Sequence, residues 1–260
     1  MLSPNKNIVV IVPCYNECRA IPKVLKAFPK KSLSKLGWNL EIIVVDNNSD
    51  DGTSHVARKH GATVISEPEK GKGNAMLTGL KSVPPETDYV VMLDGDNTYH
   101  PKEIIRMIEP LDSHFCDAIL GSRMQGKMSS GAMNFTSRVG NWLFSFLVRY
   151  FYKVNVTDVL TGYFAWKKSA LDRLVPHLTS TGFEIEMEMI TKMAKLGLEV
   201  YSVPISYHSR IGSSKLNHFK DGFFILTTFI NNLNWSPKDD DQGSKSENRS
   251  YRSLLQRSLS

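Results

Sequence analysis

Hydrophobic and polar positions fall into two alternating kinds of segment along residues 7–120. Short apolar runs rich in β-branched side chains predict strands at 7–12, 41–45, 62–66, 88–93 and 117–120. The longer segments between them have helical spacing and predict helices near 19–28, 52–60, 73–82 and 101–111. Strands that alternate with helices in this way are typical of an α/β fold with a mixed, mostly parallel sheet flanked by helices.

The second half of the chain contains two strongly apolar segments. Residues 134–153 carry a helical stripe made up of Val139, Trp142, Leu143, Phe146, Leu147, Tyr150 and Phe151. This helix either packs its stripe against the core or lies in a membrane interface, where Trp and Tyr beside arginines and lysines are typical. Residues 217–235 predict a second helix, apolar nearly all round, that should be buried in the core, against a partner subunit or in lipid.

The composition changes at Ser236, where polar and charged residues replace the apolar ones. We therefore expect one domain at 1–235, followed by a disordered polar tail at 236–260. No apolar stretch reaches the length that spans a bilayer, and no signal peptide is visible. We expect any membrane contact to be peripheral, or mediated by a membrane-anchoring subunit or a second copy of the chain.

Charge and cysteine content narrow the class of protein. The net charge of +6 suits an anionic ligand or an acidic membrane surface, and no basic run with interleaved aromatics points to nucleic acid. Cys14, Cys18 and Cys116 are too few for a disulfide framework and favour a reducing, cytoplasmic compartment. With 260 residues and 41% hydrophobic content, the chain can bury one substantial core.

Three of the predicted strands end in acidic, turn-rich loops at residues 13–17, 46–53 and 94–101. The carboxyl ends of parallel strands converge on the edge where open α/β sheets bind ligands. Asp94 and Asp96 share one side of their strand end, and they repel each other unless a cation lies between them. A divalent cation that holds a diphosphate fits this pair, although a polar turn would explain it equally well taken alone.

Together these loops resemble the family 2 glycosyltransferases of the GT-A fold, and more narrowly the polyprenyl-phosphate (dolichyl-phosphate) hexose synthases. The likeness extends over roughly residues 8–230. It implies a nucleotide-diphosphate sugar as donor, bound by Pro13, Tyr15, Glu17, Asp46, Asp94 and Gly95. It also implies Mg²⁺ or Mn²⁺ on Asp94 and Asp96, with Thr98 standing where the mannose synthases often have a glutamine ligand.

The resemblance further implies that a polyprenyl phosphate accepts one hexose, with inversion, at the cytoplasmic face of a membrane. A phosphate is mostly dianionic at neutral pH, so it needs cations and in-line geometry rather than a general base. The catalytic residues implied are Asp96, Arg123, Arg210 and Lys215, and the acceptor-binding residues are Arg138 and Asp158.

Several alternatives stay open. A transferase acting on a soluble sugar or glycan hydroxyl would need a base. The candidates for that base are Asp158, Glu184, Glu186 and Glu188. A non-catalytic nucleotide-sugar-binding subunit, docked through the 217–235 helix, is a third interpretation.

Two further features bear on the donor. Residues 71–75, Gly-Lys-Gly-Asn-Ala, precede a helix and either cradle a phosphate or form a plain glycine turn. Asn47, Asn48 and Thr98 depart from the mannose-synthase pattern, which favours UDP-glucose or UDP-N-acetylglucosamine over GDP-mannose as the donor.

Overall fold

The computed structural model describes residues 5–212 and 217–237. In that part of the chain the strands are β1 (Asn7–Cys14), β2 (Asn39–Asp46), β3 (Thr63–Ser66), β4 (Tyr89–Met92), β5 (Ala118–Ser122), β6 (Phe164–Lys167) and β7 (Val200–Pro204). They form one sheet in the order β3-β2-β1-β4-β6-β5-β7, in which β6 runs antiparallel to both of its neighbours and the other pairs are parallel. The mixed, mostly parallel sheet is therefore confirmed.

Helices cover both faces of the sheet. They are α1 (Ile21–Ala27), α2 (Lys30–Lys35), α3 (Thr53–Lys59), α4 (Lys72–Lys81), α5 (Ile104–Asp112), α6 (Phe135–Tyr152), α7 (Lys168–Leu174), α8 (Ile185–Lys195) and α9 (His218–Asn234). Because side chains alternate along a strand, Ile8 and Val10 of β1 pack towards α1, α2, α3 and α5, whereas Val9 and Ile11 pack towards α4 and α6–α9. The sheet therefore lies between two hydrophobic cores.

The first half of the chain follows the predicted order of strands and helices to within a few residues. Helix α2 was not predicted because its sequence, KKSLSK, buries only Leu33. Strand β6 was not predicted because four residues, FAWK, give too short a run for a periodic signal. Its insertion between β4 and β5 nevertheless decides the sheet order, since it separates two strands that would otherwise be neighbours.

Helix α6 is amphipathic in the reverse of the usual sense. Its buried residues include the polar Asn141 and Ser145, whereas Trp142 and Tyr150 on the opposite face are 57% and 59% exposed. The buried polar groups are satisfied, because Asn141 accepts a hydrogen bond from the Leu160 amide and the Ser145 hydroxyl accepts one from the Val159 amide. Apart from Leu147, which packs against the core, the residues of the predicted stripe are exposed, so the interpretation of the stripe as core-facing is wrong for most of it.

Helix α9 is half buried. Ile225 and Phe229 pack into the core beside α8 and α6, and the Tyr152 hydroxyl donates to the Phe229 carbonyl at 2.6 Å. The expectation of a buried helix holds for this side only. The exposed side chains of both helices form what we call the aromatic surface: Phe135, Val139, Trp142, Leu143, Phe146, Tyr150, Phe151, Phe219, Phe223, Phe224, Leu226 and Ile230.

Two predictions concern membrane-spanning helices and the polar tail. Within residues 5–212 and 217–237, no helix is both long and apolar enough to cross a bilayer. The predicted polar tail lies outside the described residues from position 238 onward.

Candidate active site

A cavity of about 230 Å³ opens at the carboxyl edge of the sheet. It is lined by seven of the residues predicted from the sequence: Pro13, Tyr15, Glu17, Asp94, Gly95, Asp96 and Arg210. Strands β1 and β4 are direct parallel neighbours, which is why the 13–17 and 94–96 loops meet there. Any side chain at position 95 would collide with the Cys14 sulfur, so the close approach of the two loops requires Gly95.

Asp96 is almost completely buried, and its two carboxylate oxygens have different partners. Oδ1 accepts hydrogen bonds from the Thr98 amide at 2.9 Å and the Thr98 hydroxyl at 2.6 Å. Oδ2 lies 2.5 Å from Arg210 Nη2 in an ion pair that lacks hydrogen-bond alignment, and no other described group donates to it. Burial and the neighbouring Asp94 raise the pKa of Asp96, while Arg210 opposes that rise.

These contacts bear on the predicted metal site. A buried carboxylate oxygen without an aligned donor is a suitable ligand for a hard cation, so Asp96 Oδ2 fits Mg²⁺ or Mn²⁺. Thr98 orients Asp96 through its hydroxyl and does not line the cavity, so its direct coordination of a metal stays a prediction. Among the described residues, no group of three or more His, Cys, Asp or Glu side chains is arranged to hold a metal unaided.

Asp94 contacts a lysine that the sequence interpretation did not include in the site. Lys72 Nζ lies 2.9 Å from Asp94 Oδ1 and 2.6 Å from Glu186 Oε1. Burial disfavours the charged lysine, but the two carboxylates more than compensate and raise the pKa of Lys72 above its ordinary value. Burial likewise raises the pKa of Glu186, and Lys72 opposes that rise.

Glu17 is a second carboxyl group in the cavity with a raised pKa. Burial, with a contribution from Asp96, raises its pKa to about 7, and Arg210 partly offsets the effect. Its backbone amide donates to the Thr53 hydroxyl at 2.9 Å, which ties the loop after β1 to the start of α3. With a pKa of about 7, the Glu17 carboxyl group can exist in either protonation state near neutral pH.

Asp46 ends β2 directly opposite Cys14 and has one carboxylate oxygen available. The Ser54 hydroxyl donates to Oδ2 at 2.5 Å, whereas Oδ1 is buried without a hydrogen-bond partner among the described residues. The adjacent Asn47 lines the cavity and accepts from the Gly71 amide at 2.8 Å. Asn47 thus fixes the loop before α4, a role that its departure from the family pattern did not suggest.

A second wall, made up of residues 179–184, packs beside residues 71–75 and contributes Phe183 to the cavity lining, a residue that the sequence did not single out. A side chain at Gly71 or Gly73 would collide with the carbonyl oxygens of Thr181 or Ser180, so both glycines permit close packing. The Gly71 amide is already bonded to Asn47, and the Asn74 amide donates to the Thr181 carbonyl at 3.3 Å. These two amides are therefore used within the protein and are not available to a phosphate.

The glutamates predicted as candidate bases have separate structural roles. Glu188 accepts hydrogen bonds from the Thr179 and Ser180 amides and pairs with Lys192 at 2.8 Å. Glu184 accepts from the Gly182 amide at 3.1 Å. Glu184 and Glu188 therefore shape the second wall, and Glu186 reaches the cavity only through Lys72.

Arg123 and Asp158 bind each other and do not line the cavity. Arg123 Nε and Nη2 donate to the two oxygens of Asp158, each at 2.8 Å, and Asn141 of α6 adds a third side-chain donor at 2.7 Å. Arg138 is exposed on the first turn of α6, and Lys215 lies outside the described residues. The predicted roles of these residues towards an acceptor are proposals that the geometry alone does not decide.

Comparison with known proteins identifies the class of protein to which this fold and cavity belong. Residues 9–175 match the family model described as glycosyl transferase family 2. The chain therefore belongs to the family 2 glycosyltransferases, and its sheet and strand-end cavity are those of the GT-A fold.

Two relatives come from the archaeon Haloferax volcanii. The chain is 33% identical to glycosyltransferase AglJ over 84% of its own length and 69% of AglJ. It is 32% identical to the low-salt glycan biosynthesis hexosyltransferase Agl6 over 82% of its own length, but it spans only 51% of Agl6. Among solved structures, glucosyl-3-phosphoglycerate synthase from Mycobacterium tuberculosis, with Mn²⁺, UDP-glucose and phosphoglyceric acid, has a TM-score of 0.67 at 21% identity, with 88% and 80% coverage of the two chains.

Proposed function

We propose that this protein transfers one hexose, with inversion, from a nucleotide-diphosphate sugar to a polyprenyl (dolichyl) phosphate at the cytoplasmic face of a membrane. The observation that supports this acceptor is that each of the four predicted bases is already bound to another group of the protein. Asp158 is bound to Arg123, Glu186 to Lys72, Glu188 to Lys192, and Glu184 to a backbone amide. A phosphate nucleophile needs no base, so the engagement of these four carboxylates with other groups of the protein suits it.

The donor half of the proposal rests on the cavity. Asp46 Oδ1 is available for a base N–H, and the similar synthase binds UDP-glucose with Mn²⁺, which supports a uridine donor. Asp96 and Asp94 would hold Mg²⁺ or Mn²⁺, which would act as a Lewis acid on the diphosphate. Arg210, already beside Asp96, adds a second positive charge where negative charge develops on the leaving group.

The transfer itself is a single displacement. A phosphate oxygen of the acceptor attacks the anomeric carbon from the face opposite the nucleotide, and the bond from that carbon to the diphosphate oxygen breaks. The electron pair of that bond leaves with the nucleoside diphosphate. Arg210, Lys215 and Arg138 are the proposed cations for the two phosphates, and in-line attack inverts the configuration.

The aromatic surface supports a lipid-borne acceptor. Helix α6 contains no acidic residue, and its arginines accompany an exposed row in which the Trp142, Phe146 and Tyr150 rings are stacked. An exposed apolar face bordered by cations suits the headgroup region of an acidic membrane. We propose peripheral attachment through this surface, with an anchoring subunit or a second copy of the chain as alternative occupants.

A second function is favoured by one observation. Glu17 lies in the cavity with a pKa of about 7, a value suited to general-base catalysis on a hydroxyl acceptor. Under that alternative the acceptor is a soluble sugar or glycan. Glu17→Gln would then abolish transfer, whereas on the lipid-phosphate proposal it mainly changes donor affinity.

The direct test is transfer of radiolabelled hexose into an organic-extractable lipid. The assay contains polyprenyl phosphate, Mg²⁺ or Mn²⁺, and UDP-glucose, UDP-N-acetylglucosamine or GDP-mannose in turn. We expect label in the lipid phase with one donor, which would also identify the sugar. Metal-dependent donor hydrolysis without lipid label would favour the hydroxyl acceptor, and donor binding without either signal would favour a non-catalytic subunit.

A further inference from the structure

The segment that follows β7 brings Arg210 to the cavity, and Tyr207 lies at the centre of this segment. The Tyr207 amide donates to the Lys127 carbonyl at 2.8 Å, and the Tyr207 carbonyl accepts from the Ser129 amide at 2.9 Å. On its other side, Tyr207 pairs in the antiparallel sense with Tyr99. Tyr207 is therefore the middle residue of three adjacent segments, and this pairing fixes the backbone that leads to Arg210.

Backbone hydrogen bonds on either side of Arg210 tie the same segment to the loop after β4. The His208 amide donates to the Thr98 carbonyl at 2.9 Å, and the Ile211 amide donates to the Asp96 carbonyl at 3.2 Å. Between these two bonds, the Arg210 guanidinium lies 2.5 Å from Asp96 Oδ2. An arginine side chain has considerable rotamer freedom, so its place in the cavity depends on a backbone that is held in this way.

The Tyr207 side chain anchors the segment to two groups that are themselves fixed. Its ring centroid lies 5.3 Å from that of Tyr99 and 5.2 Å from the Arg123 guanidinium carbon. Arg123 is bound by Asp158, and the Tyr99 hydroxyl accepts from the Gly162 amide at 2.6 Å. Because Tyr99 and Arg123 are both buried, the aromatic pair and the cation–π contact hold the Tyr207 ring in place.

The ion pair with Asp96 is not enough to keep Arg210 in position during the proposed reaction. Asp96 Oδ2 is also the atom that fits a divalent cation, and two positive charges beside one carboxylate oxygen repel each other. The Arg210 side chain is 30% exposed, so burial does not confine it either. Its position then depends on the anchored backbone, and the Tyr207 side chain provides that anchor.

We infer that Tyr207 is a positioning residue for the donor diphosphate. It holds the segment of Arg210 so that the guanidinium stays beside Asp96 when a cation and the diphosphate are bound. The inference rests on the proposed function, which assigns the charge of Arg210 to the leaving group. Tyr207 is not among the residues that line the cavity, so its effect on the ligand passes through Arg210.

The test is isothermal titration calorimetry of UDP and GDP in the presence of Mn²⁺. For the nucleotide that binds the wild-type chain, Tyr207→Leu should raise the Kd about tenfold, because the charged hydrogen bonds from Arg210 to the diphosphate are weakened. Tyr207→Phe keeps the ring and should stay within about twofold of the wild type. Tyr201→Leu removes an aromatic ring of β7 that contacts Phe115 instead, and it should leave the Kd unchanged.

A double-mutant cycle separates positioning from a general structural role. If Tyr207 acts through Arg210, the Tyr207→Leu/Arg210→Met double variant should bind the nucleotide no more weakly than Arg210→Met alone. Additive losses would show that Tyr207 acts independently of Arg210 and would overturn the inference. If Tyr207→Leu does not fold, Tyr207→Met serves for the same measurements, because its longer, flexible side chain fills an irregular space but has no aromatic face.

An unchanged Kd for Tyr207→Leu would also overturn the inference, as would an equal loss for Tyr207→Phe, since that variant keeps both ring contacts. If the wild-type chain binds neither nucleotide, the proposed function fails and the inference fails with it. If the wild type binds one of them and transfers hexose while Tyr207→Leu loses no affinity, the inference alone fails.

Discussion

Two buried clusters of opposite charges lie at the carboxyl edge of the sheet. They differ in whether a carboxylate oxygen is left without a hydrogen-bond donor. In the cluster of Asp158, Arg123 and Asn141, both carboxylate oxygens accept two hydrogen bonds each. In the cavity, Asp96 Oδ2 has an ion-pair partner but no aligned donor. The first cluster is complete without a ligand and the second is not, although sequence motifs singled out both.

This contrast shows how a structural ion pair can be told from a binding site. Arg123 and Asp158 tie the end of β5 to the segment before β6 and to α6. Asp94, Asp96, Lys72 and Arg210 line an open cavity, with a buried atom left over for a cation. We therefore expect substitutions in the first cluster to reduce stability and those in the second to reduce activity.

The largest effect should come from Asp96→Asn. It removes the charge that a divalent cation and Arg210 both need, so hexose transfer should fall at least about 1,000-fold in the radiolabel assay. Thermal stability should be unchanged or higher, because a buried carboxylate with a raised pKa is removed. Asp88→Asn, which breaks a partly exposed pair with Lys6, is the control and should retain activity. Transfer at wild-type rates by the Asp96 variant would exclude a role in catalysis.

Asp158→Asn should have the opposite profile. It leaves the buried Arg123 guanidinium without its charged partner, so the free energy of unfolding should fall by about 3–5 kcal/mol in urea denaturation. Asp172→Asn, which removes an exposed pair with Lys168, should cost less than about 1 kcal/mol. A stable Asp158 variant that cannot use the acceptor would instead support the acceptor-binding role predicted from the sequence.

A smaller effect is expected at the aromatic surface. Trp142→Gln and Phe223→Gln should each weaken binding to vesicles that contain acidic lipids by about tenfold, measured by sedimentation. This factor follows from the free energy of burying one large apolar side chain. Because both side chains are already exposed, stability should barely change. Phe115→Gln, at an exposed aromatic outside this surface, should bind vesicles like the wild type. Equal vesicle binding by all of these variants would point to a protein partner instead.

The smallest effect concerns pH. The pKa of Glu17 is about 7 in the folded chain, above the ordinary value of 4.5, so folding favours its protonated form. The resulting stabilisation is complete below about pH 4.5 and is lost as the pH rises to about 7. The thermal midpoint of the wild type should therefore fall relative to Glu17→Gln between these pH values. A constant difference between the two proteins would show that the pKa of Glu17 is not raised.

The sequence was sufficient for features that depend on local pattern. The apolar runs before Glu17, Asp46 and Asp94 identified parallel strands, and their shared edge followed from the geometry of α/β sheets. Periodicity also located α6, but a periodic stripe does not show which side faces the core. The polar residues that occupy the buried side, Asn141 and Ser145, become understandable only once Asp158 and the Val159 amide are placed beside them.

The pairing of Lys72 with Glu186 could not be predicted in the same way. The two residues are far apart along the chain and meet because α8 begins beside the first turn of α4. The only local signal was the pair of glycines flanking Lys72, which indicates a close approach without naming the partner. Antiparallel β6, which sets the order of the sheet, was likewise too short to be predicted from the periodicity of the sequence.

The packing of residues 180–181 on Gly71 and Gly73 also has a consequence for recombination between relatives. The family match ends at residue 175, before this wall begins, so a crossover placed at that boundary would look natural. It would nevertheless join residues 71–74 of one parent to residues 179–188 of another. Any side chain larger than glycine at position 71 or 73 would then collide with a carbonyl oxygen of residues 180–181. Functional chimeras of this protein should therefore inherit residues 71–74 and 179–188 from the same parent.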